Sequence, residues 1–200
     1  MVATMSELTL IVAATSKMGI GLNGGLPWAG LRKEMAYFAR VTKRVVGGSE
    51  GRNIVIMGRK TWDSIPPKFR PLKDRHNIII SRILPPVSDD GTTTIVPSLA
   101  EALKVVARGS RRAFVIGGAQ IYGAALERPE TKRILLTRIL DEFECDAHFP
   151  IELGGNRVAE VGWKRKDMKD LGTWTGEGEA AEGVKEESGT KYEFEMWERD

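Results

Sequence analysis

The chain has 200 residues, of which 42% are hydrophobic and 28% charged, and its net charge is +3. This composition is that of a globular protein, and the length suits one domain with a sizeable core. The small net charge argues against a nucleic-acid-binding surface and only weakly favours an anionic ligand. No apolar run approaches the roughly 20 residues of a membrane span. We expect no secretory signal, because the first apolar run, Leu8 to Ala14, is short and lacks a preceding basic residue.

Cysteine usage is minimal, since Cys145 is the single cysteine. A disulfide framework and a thiolate metal site are therefore excluded, and a reducing, cytoplasmic compartment is expected. Cys145 lies in a Phe-Glu-Cys-Asp run, and an inert thiol is expected. His76 and His148 lack partners at ligand spacing, and we expect no metal site.

Strand-like and helical runs alternate along most of the chain. Apolar, β-branched runs predict strands over residues 8–14, 53–58, 76–81, 92–96, 113–116 and 133–139. Helical patterns are found over residues 31–44, after Arg59, from Ser98 to a stop at Gly109, and over 119–127. Buried strands separated by helices predict an α/β fold with a mainly parallel central β-sheet flanked by helices.

The C-terminal segment has a different pattern. Residues 191–197 alternate apolar with polar side chains, which is typical of a half-exposed antiparallel strand. We expect this strand to pair with residues around 158–165 as an antiparallel C-terminal pair. The Gly- and Glu-rich residues 172–189 are expected to form a long, flexible hairpin insert. Nothing divides the chain further, so we predict one domain over residues 1–200.

A glycine-rich loop, Gly19–Gly25, precedes the first predicted helix. Helical spacing predicts an apolar face that consists of Leu31, Met35, Phe38 and Thr42. The opposite, wetter face consists of Lys33, Tyr37, Arg40 and Arg44. Glu34 falls on the apolar face, where ionisation is costly unless the carboxylate is bound. Two interpretations stay open: the side chain bends out to solvent or pairs with an Arg, or it is a ligand-binding carboxylate at the floor of a pocket.

Ligands of parallel α/β sheets bind beyond the carboxyl ends of the strands. In this chain the residues that follow the strands include Arg59, Lys60, Thr61, Ser81, Arg82, Gly117 and Gly118. Positive charge and helix starts favour anions, and paired glycines let a backbone approach a ligand closely. Each feature alone is common in surface loops, but their joint placement predicts a phosphate-rich cofactor.

Residues 19–24 match the G-x-G-x-x-G fingerprint of dinucleotide-binding folds, but the context of the motif fails. Pro27 and Gly30 delay the helix, and the next strand ends in Gly58-Arg59-Lys60, where the fingerprint requires an acid. Arg59 also interrupts the Gly-Lys pair of a P-loop. We reject both motifs. Basic residues at this edge instead suit a cofactor with an extra ribose phosphate, which favours NADPH over NADH.

A series of short motifs spans Leu8 to Glu198. These are Met18–Gly21, Leu26–Trp28, Leu31–Glu34 with Phe38, Val55–Trp62, Ser64–Pro66, Arg70–Leu72, Ile80–Arg82, Ile116–Gly118, Ile121–Tyr122 and Leu136–Ile139. In content and order they resemble the motifs of dihydrofolate reductases of the longer, eukaryotic type. The resemblance implies an oxidoreductase that reduces 7,8-dihydrofolate to 5,6,7,8-tetrahydrofolate with NADPH, by hydride transfer to C6 and protonation at N5. Such an activity supports one-carbon metabolism and thymidylate synthesis.

The resemblance also implies which residues bind the substrate. Glu34 would bind the 2-amino group and adjacent ring nitrogen of the pterin and assist protonation of N5 through a water, with Thr137 and Trp28 as the other catalytic residues. A Glu on an apolar face suits this task, because burial raises its pKa. The further substrate-binding residues implied are Ile11, Val12, Met35, Phe38, Ile65, Arg75, Ile116 and Tyr122. Among them Arg75 would pair with the glutamate carboxylate of the substrate. Antifolate inhibitors are expected at the same site.

The resemblance implies a second set of residues that would bind NADPH. This set is Ala13, Ile20, Gly21, Gly24, Gly58, Arg59, Lys60, Thr61, Ser81, Arg82, Ile116, Gly117, Gly118, Ala119, Gln120, Ile121 and Tyr122. The peptide bond between Gly117 and Gly118 is expected to be cis. The glycine-rich loop would close over the nicotinamide and reopen. A monomer without an obligate protein partner is also implied.

Two other functions are considered. A reductase of the same fold that acts on a phosphoribosylated pyrimidine in flavin synthesis would keep the NADPH side, but it would lack Leu26-Pro27-Trp28 combined with Glu34. A catalytically silent nucleotide-binding module would bind NADPH without turnover. An assay with NADPH and dihydrofolate separates all three functions.

Overall fold

The computed structural model describes residues 7–47, 51–85, 91–107, 111–154 and 162–200. The chain divides into two units. We name as the parallel unit Thr42–Thr131 together with the described residues before Leu10, and as the Glu34 unit Leu10–Val41 together with Lys132–Asp200. Within the described ranges, no helix combines the length and the apolar character needed to cross a membrane.

Strands and helices alternate through most of the chain. The strands are β1 (Leu8–Thr15), β2 (Gly19–Gly21), β3 (Asn53–Gly58), β4 (Arg75–Ile80), β5 (Thr93–Val96), β6 (Ala113–Val115), β7 (Thr131–Ile139), β8 (Ala147–His148), β9 (Lys164–Arg165), β10 (Lys185–Glu187) and β11 (Thr190–Glu198). The α-helices are α1 (Arg32–Lys43), α2 (Arg59–Ser64), α3 (Leu99–Val106), α4 (Ala119–Leu126) and α5 (Met168–Thr175). All six strands predicted from apolar runs are confirmed.

The parallel unit contains strands in the order β6-β3-β4-β5, and every neighbouring pair is parallel. Ile54–Met57 and Ile78–Ile79 are almost fully buried, as expected for strands with both faces covered. Helix α3 begins as predicted, because Ser98 Oγ accepts the backbone N–H of Glu101 at 3.3 Å. Its predicted stop, Gly109, lies outside the described residues.

The Glu34 unit contains strands in the order β10-β11-β7-β1, and β9 also pairs with β11. Strand β11 is antiparallel to β7, β9 and β10, which confirms an antiparallel C-terminal arrangement. The prediction of its partner was incomplete. Arg165 does pair with Trp197, but the long partner of β11 is β7, and residues 158–161 of the predicted partner lie outside the described residues.

The predicted faces of α1 were wrong in two positions. Tyr37, placed on the wetter face, is only 3% exposed because its ring stacks on Phe194 at a centroid distance of 3.8 Å. Met35, placed on the apolar face, is 52% exposed. The buried face therefore runs through Leu31, Glu34, Tyr37 and Val41. Glu34 lies on the buried face, as its spacing from Leu31 predicts.

Residues 172–189 were expected to form one long hairpin loop, and this expectation was wrong for most of the segment. The helix α5 continues through Thr175, a 3₁₀ turn covers Gly178–Ala181, and β10 begins at Lys185. A hairpin is present only where β10 turns into β11, with Glu187 opposite Thr190. The flexibility of the segment and the single-domain organisation stay predictions.

Candidate active site

Glu34 is one of the buried acids of the Glu34 unit. It lies in the first turn of α1 and is 7% exposed. Thr137 Oγ1, from the buried centre of β7, donates a hydrogen bond to Glu34 Oε1 at 2.9 Å. The register of the sheet determines the position of Thr137, because Thr137 pairs with Phe194 on β11. The ring of Phe194 stacks on Tyr37, which belongs to α1 like Glu34. The side chain of Glu34 therefore does not bend out to solvent, and its role as a ligand-binding carboxylate stays a prediction.

The environment of Glu34 changes its protonation. Burial raises the pKa of the carboxyl, the hydrogen bond from Thr137 lowers it in part, and the nearby negative charge of Glu187 raises it again, to about 7. A carboxyl in this range is protonated in a substantial fraction of molecules at neutral pH. It can therefore hold or pass on a proton where an ordinary glutamate is ionised.

Several predicted substrate-binding residues accompany Glu34 in the same unit. Met35 follows it on α1 and presents an exposed thioether side chain, and Phe38 lies half-buried one turn further on. Ile11 and Val12 are buried in β1. The indole of Trp28 is 6% exposed and packs edge-on against Phe143, and its buried Nε1–H has no hydrogen-bond partner among the described residues. A buried donor of this kind favours binding of a polar group.

The glycine-rich loop contains a short strand and a tight turn. Strand β2, which holds Ile20, pairs with β8, and the turn at Asn23-Gly24 has positive φ at both residues. Leu22 and Gly25 exchange two backbone hydrogen bonds of 3.0 Å across this turn. Asp146 Oδ2 accepts the N–H of Asn23 at 2.8 Å. Ala13, in β1, is half-buried.

Two functional candidates of the Glu34 unit escaped the sequence analysis. The carboxylate of Glu187 accepts the N–H groups of Lys33 and Glu34 and the hydroxyl of Tyr192. Glu187 appeared to be one of many acids in a Gly- and Glu-rich segment, and no local pattern distinguishes it. Tyr192 was recognised only as an apolar position of the alternating strand.

The parallel unit confirms the predicted strand edge. Strand β3 is in register with β4 and β6, so Gly58 lies opposite Ile80 and Ile56 lies opposite Val115. The carboxyl ends of these strands therefore meet at one edge. The residues that follow them there are Arg59, Lys60, Thr61, Ser81, Arg82, Ile116, Gly117, Gly118, Ala119 and Gln120. Their role in binding a cofactor stays a prediction.

The Gly117–Gly118 peptide bond is cis, as the family resemblance implied. Gly117 has a φ of +125°, which favours glycine, and its carbonyl accepts the N–H of Gly58 at 2.8 Å. A Cβ added at Gly117 or Gly118 would lie 3.4 Å from Thr61 Oγ1. That distance is an ordinary van der Waals contact, and the N–H groups of Ile121 and Tyr122 bond to the Gly118 carbonyl at 2.9 Å.

The basic residues of this edge differ in their surroundings. Arg59 is in an ion pair with Asp63 at 2.7 Å, one turn along α2. Lys60 and Arg82 are exposed. Ser81 is buried, and its Oγ accepts the N–H groups of Ile83 and Leu84 at 3.2 and 2.9 Å. Within the described part of the chain, the hydroxyl hydrogen of Ser81 can still be donated to an acceptor.

Arg75 begins β4 and is 5% exposed. Its guanidinium donates to the carbonyl of Lys73 at 3.0 Å and to Thr42 Oγ1 at 2.9 Å. Burial lowers the pKa of this guanidinium, which the charge of Asp74 partly offsets. A buried guanidinium favours an anionic partner such as a carboxylate. Ile65, the remaining substrate candidate of this unit, follows α2 and is half-buried.

A buried acid that titrates near neutrality, in a chain that also has a glycine-lined strand edge, is typical of an enzyme that moves a proton next to a nucleotide cofactor. The comparisons with known proteins specify the class. Residues 7–199 match the family model for dihydrofolate reductase. The dihydrofolate reductase of Pneumocystis carinii is 44% identical over 97% of this chain and 97% of that protein. The Bos taurus dihydrofolate reductase is 42% identical over 96% of this chain and 97% of that protein.

A solved structure agrees with these relatives. The Schistosoma mansoni dihydrofolate reductase superposes with a TM-score of 0.77 at 33% identity, covering 98% of this chain and 100% of that one. The chain therefore belongs to the dihydrofolate reductase family, and it is an oxidoreductase. The resemblance inferred from the motifs is confirmed.

Proposed function

We propose that this protein reduces 7,8-dihydrofolate to 5,6,7,8-tetrahydrofolate with NADPH. The C6–N5 double bond of the substrate gains a hydride at C6 and a proton at N5, and NADPH leaves as NADP⁺. The observation that carries the proposal is the buried Glu34 carboxyl with a pKa of about 7, held by Thr137. Family membership supports the substrate.

Glu34 is proposed to bind the pterin and to supply the proton. One carboxyl oxygen accepts from Thr137, so the other is available to the 2-amino group and ring nitrogen of the pterin. At neutral pH the carboxyl is partly protonated and passes its proton to N5 through a water. The buried Nε1–H of Trp28 is a suitable donor to that water.

The rest of the substrate is proposed to contact both apolar and basic side chains. Met35 has an exposed apolar surface in the turn that holds Glu34, and it suits the flat ring of the pterin. Arg75 is proposed to bind the glutamate carboxylate of the substrate, because a planar guanidinium matches a carboxylate in two hydrogen bonds. The proposed roles of the other substrate residues follow the family resemblance: these residues are Ile11, Val12, Phe38, Ile65, Ile116 and Tyr122.

NADPH supplies the hydride when it is bound. The glycine pair at residues 117–118 fits such a cofactor, because a backbone without Cβ atoms can approach a pyrophosphate closely. Arg82 is exposed directly after β4 and is proposed to bind the ribose phosphate, with Lys60 and Ser81. The remaining proposed cofactor residues include Ala13, Ile20, Gly21, Gly24, Gly58, Arg59, Ala119, Gln120 and Ile121.

The experiment follows cofactor absorbance after the protein is mixed with NADPH and dihydrofolate. We expect turnover, and we expect Glu34→Gln to lower the hydride-transfer rate by at least about 100-fold at neutral pH. NADPH binding without turnover would indicate a silent module. Turnover of a phosphoribosylated pyrimidine in place of dihydrofolate would indicate the flavin-synthesis reductase. Sedimentation of the same sample tests the proposed monomer, and imaging in cells tests the proposed cytoplasmic location.

A further inference from the structure

The β10–β11 hairpin contacts the first turn of α1 in the Glu34 unit. The carboxylate of Glu187, at the end of β10, accepts the backbone N–H of Lys33 at 2.8 Å and that of Glu34 at 3.2 Å. The hydroxyl of Tyr192, from β11, donates to the same carboxylate at 2.5 Å. At the turn, Ser188 Oγ donates to the carbonyl of Gly30 at 3.3 Å.

These contacts replace a cap that the local sequence does not supply. The first N–H groups of a helix have no partner within the helix and are usually satisfied by a nearby Ser, Thr, Asp or Asn. The residues before α1 are Ala29, Gly30 and Leu31, and none of them has a capping side chain. The cap of α1 therefore comes from Glu187, which is 153 residues after Glu34 in the chain.

We propose that Glu187 is a positioning residue for Glu34: it holds the two amides at the start of α1 and places a fixed negative charge beside the buried carboxyl. This inference rests on the proposed role of Glu34 in protonation. In this role Glu187 acts through the amides of the helix and through its charge.

The charges around the two acids support this division of roles. Burial opposes ionisation of Glu187, but hydrogen bonds from Tyr192 and from the amides of Lys33 and Glu34, with the charge of Lys33, hold its pKa below the ordinary value. Glu187 is therefore ionised at neutral pH. Its charge is one cause of the raised pKa of Glu34. The phenols of Tyr37 and Tyr192 also interact electrostatically with Glu34, and burial is the first cause of their raised pKa values, which keep both phenols neutral.

Loss of the Glu187 charge has a predictable sign. Without it, ionised Glu34 is no longer repelled, and the positive end of the α1 dipole is no longer compensated. Both changes favour ionised Glu34. The pKa of Glu34 is therefore lowered. Because Glu34 then loses its proton at a lower pH, the rate of hydride transfer also begins to decline at a lower pH.

The test compares pH profiles of the hydride-transfer rate in Glu187→Gln, the parent protein and Glu186→Gln. Glu186 is the matched control, because it is the exposed neighbour on β10 and carries the same charge. For Glu187→Gln we expect a rate at pH 8 that is about three- to ten-fold lower, with little change in the acid range. Glu186→Gln should retain the parent profile. A loss that is equal at all pH values, or an equal displacement in Glu186→Gln, would overturn the proposal.

Two further measurements keep the test decisive. Infrared titration of the ligand-free protein, assigned by subtraction of Glu34→Gln, follows the Glu34 carboxyl without any turnover. If dihydrofolate is not reduced at all, the proposed function fails, yet an unmoved carboxyl titration in Glu187→Gln would still reject the Glu187 role. If Glu187→Gln does not fold, Glu187→Asp keeps the charge but shortens the reach to the amides. It should lower the maximal rate without moving the profile, and an unchanged rate would reject positioning.

Discussion

Thr137 Oγ1 donates a 2.9 Å hydrogen bond to Glu34 Oε1, although the two residues are 103 positions apart in the chain. The strand β7 thereby fixes a carboxyl that belongs to the first turn of α1. The hydrogen bond favours the ionised carboxylate, whereas burial and the charge of Glu187 favour the protonated form, and the pKa of about 7 is the balance of these effects. Each neighbour of Glu34 therefore has a predictable effect on the pH dependence of the enzyme.

Replacement of Thr137 by Val removes the hydrogen bond and keeps the shape of the side chain. The pKa of Glu34 should rise, because the contact that lowers it is lost. The alkaline decline of hydride transfer should then move to higher pH, in the direction opposite to Glu187→Gln. The KM for dihydrofolate should rise about tenfold, since a buried hydrogen bond to a carboxylate is lost. Stopped-flow pH profiles measure both effects. Thr137→Ser, which keeps the hydroxyl, should have the parent profile. An unchanged profile in Thr137→Val would contradict the claim that this hydrogen bond lowers the pKa of Glu34.

Glu34 should lower the stability of the fold at neutral and alkaline pH. Its pKa of about 7 in the folded chain exceeds the ordinary value of 4.5, so the unfolded chain loses this proton first as pH rises. The stability contributed by the protonated carboxyl is complete below pH 4.5 and is lost as pH rises through 7. The free energy of unfolding of Glu34→Gln relative to the parent should therefore increase between pH 4 and pH 8, by roughly 2–3 kcal/mol. Urea unfolding at both pH values measures it, and a difference independent of pH would argue against a buried titrating carboxyl.

The sequence predicted the strands well because Ile54–Met57 and Ile78–Ile79 are buried on both faces and need only apolar, β-branched side chains. It predicted that Glu34 faces inward because helical spacing is a local property. It did not predict that Tyr37 is buried, since the partner is Phe194 on a strand at the other end of the chain. The role of Glu187 as a cap was hidden for the same reason. Such pairings depend on the register of β11, which no short window of residues contains.

A side chain at Gly30 should destabilise the protein for two reasons, the positive φ of the backbone and a close contact with Ser188, and these can be measured separately. Its φ is +80°, and a Cβ there would lie 2.5 Å from Ser188 Oγ in the hairpin turn. Gly47 has the same φ of +80° but nothing within 4 Å, so Gly47→Ala measures the cost of the backbone alone. We expect Gly30→Ala to destabilise the protein by about 1–3 kcal/mol more than Gly47→Ala. Adding Ser188→Gly should recover most of this difference in urea unfolding. Equal losses in the two single variants would show that the hairpin does not press on Gly30.

Arg82 should determine the choice of cofactor. It is exposed after β4, at the edge where Gly58 and Gly117 also lie. If Arg82 binds the ribose phosphate, Arg82→Ala should lower the affinity for NADPH about 10- to 100-fold, because a charge-assisted hydrogen bond to a phosphate is lost. Because NADH lacks that phosphate, the affinity for NADH should fall about threefold or less. Lys104→Ala is the control for a general loss of positive charge, since Lys104 is an exposed cation of the same unit that pairs with Glu101 on α3. Fluorescence titration of the parent and both variants with each cofactor measures the six affinities. If Arg82→Ala lowers the affinities for NADPH and NADH equally, the ribose phosphate is bound by another residue. The same conclusion follows if Lys104→Ala lowers the affinity for NADPH to a comparable extent.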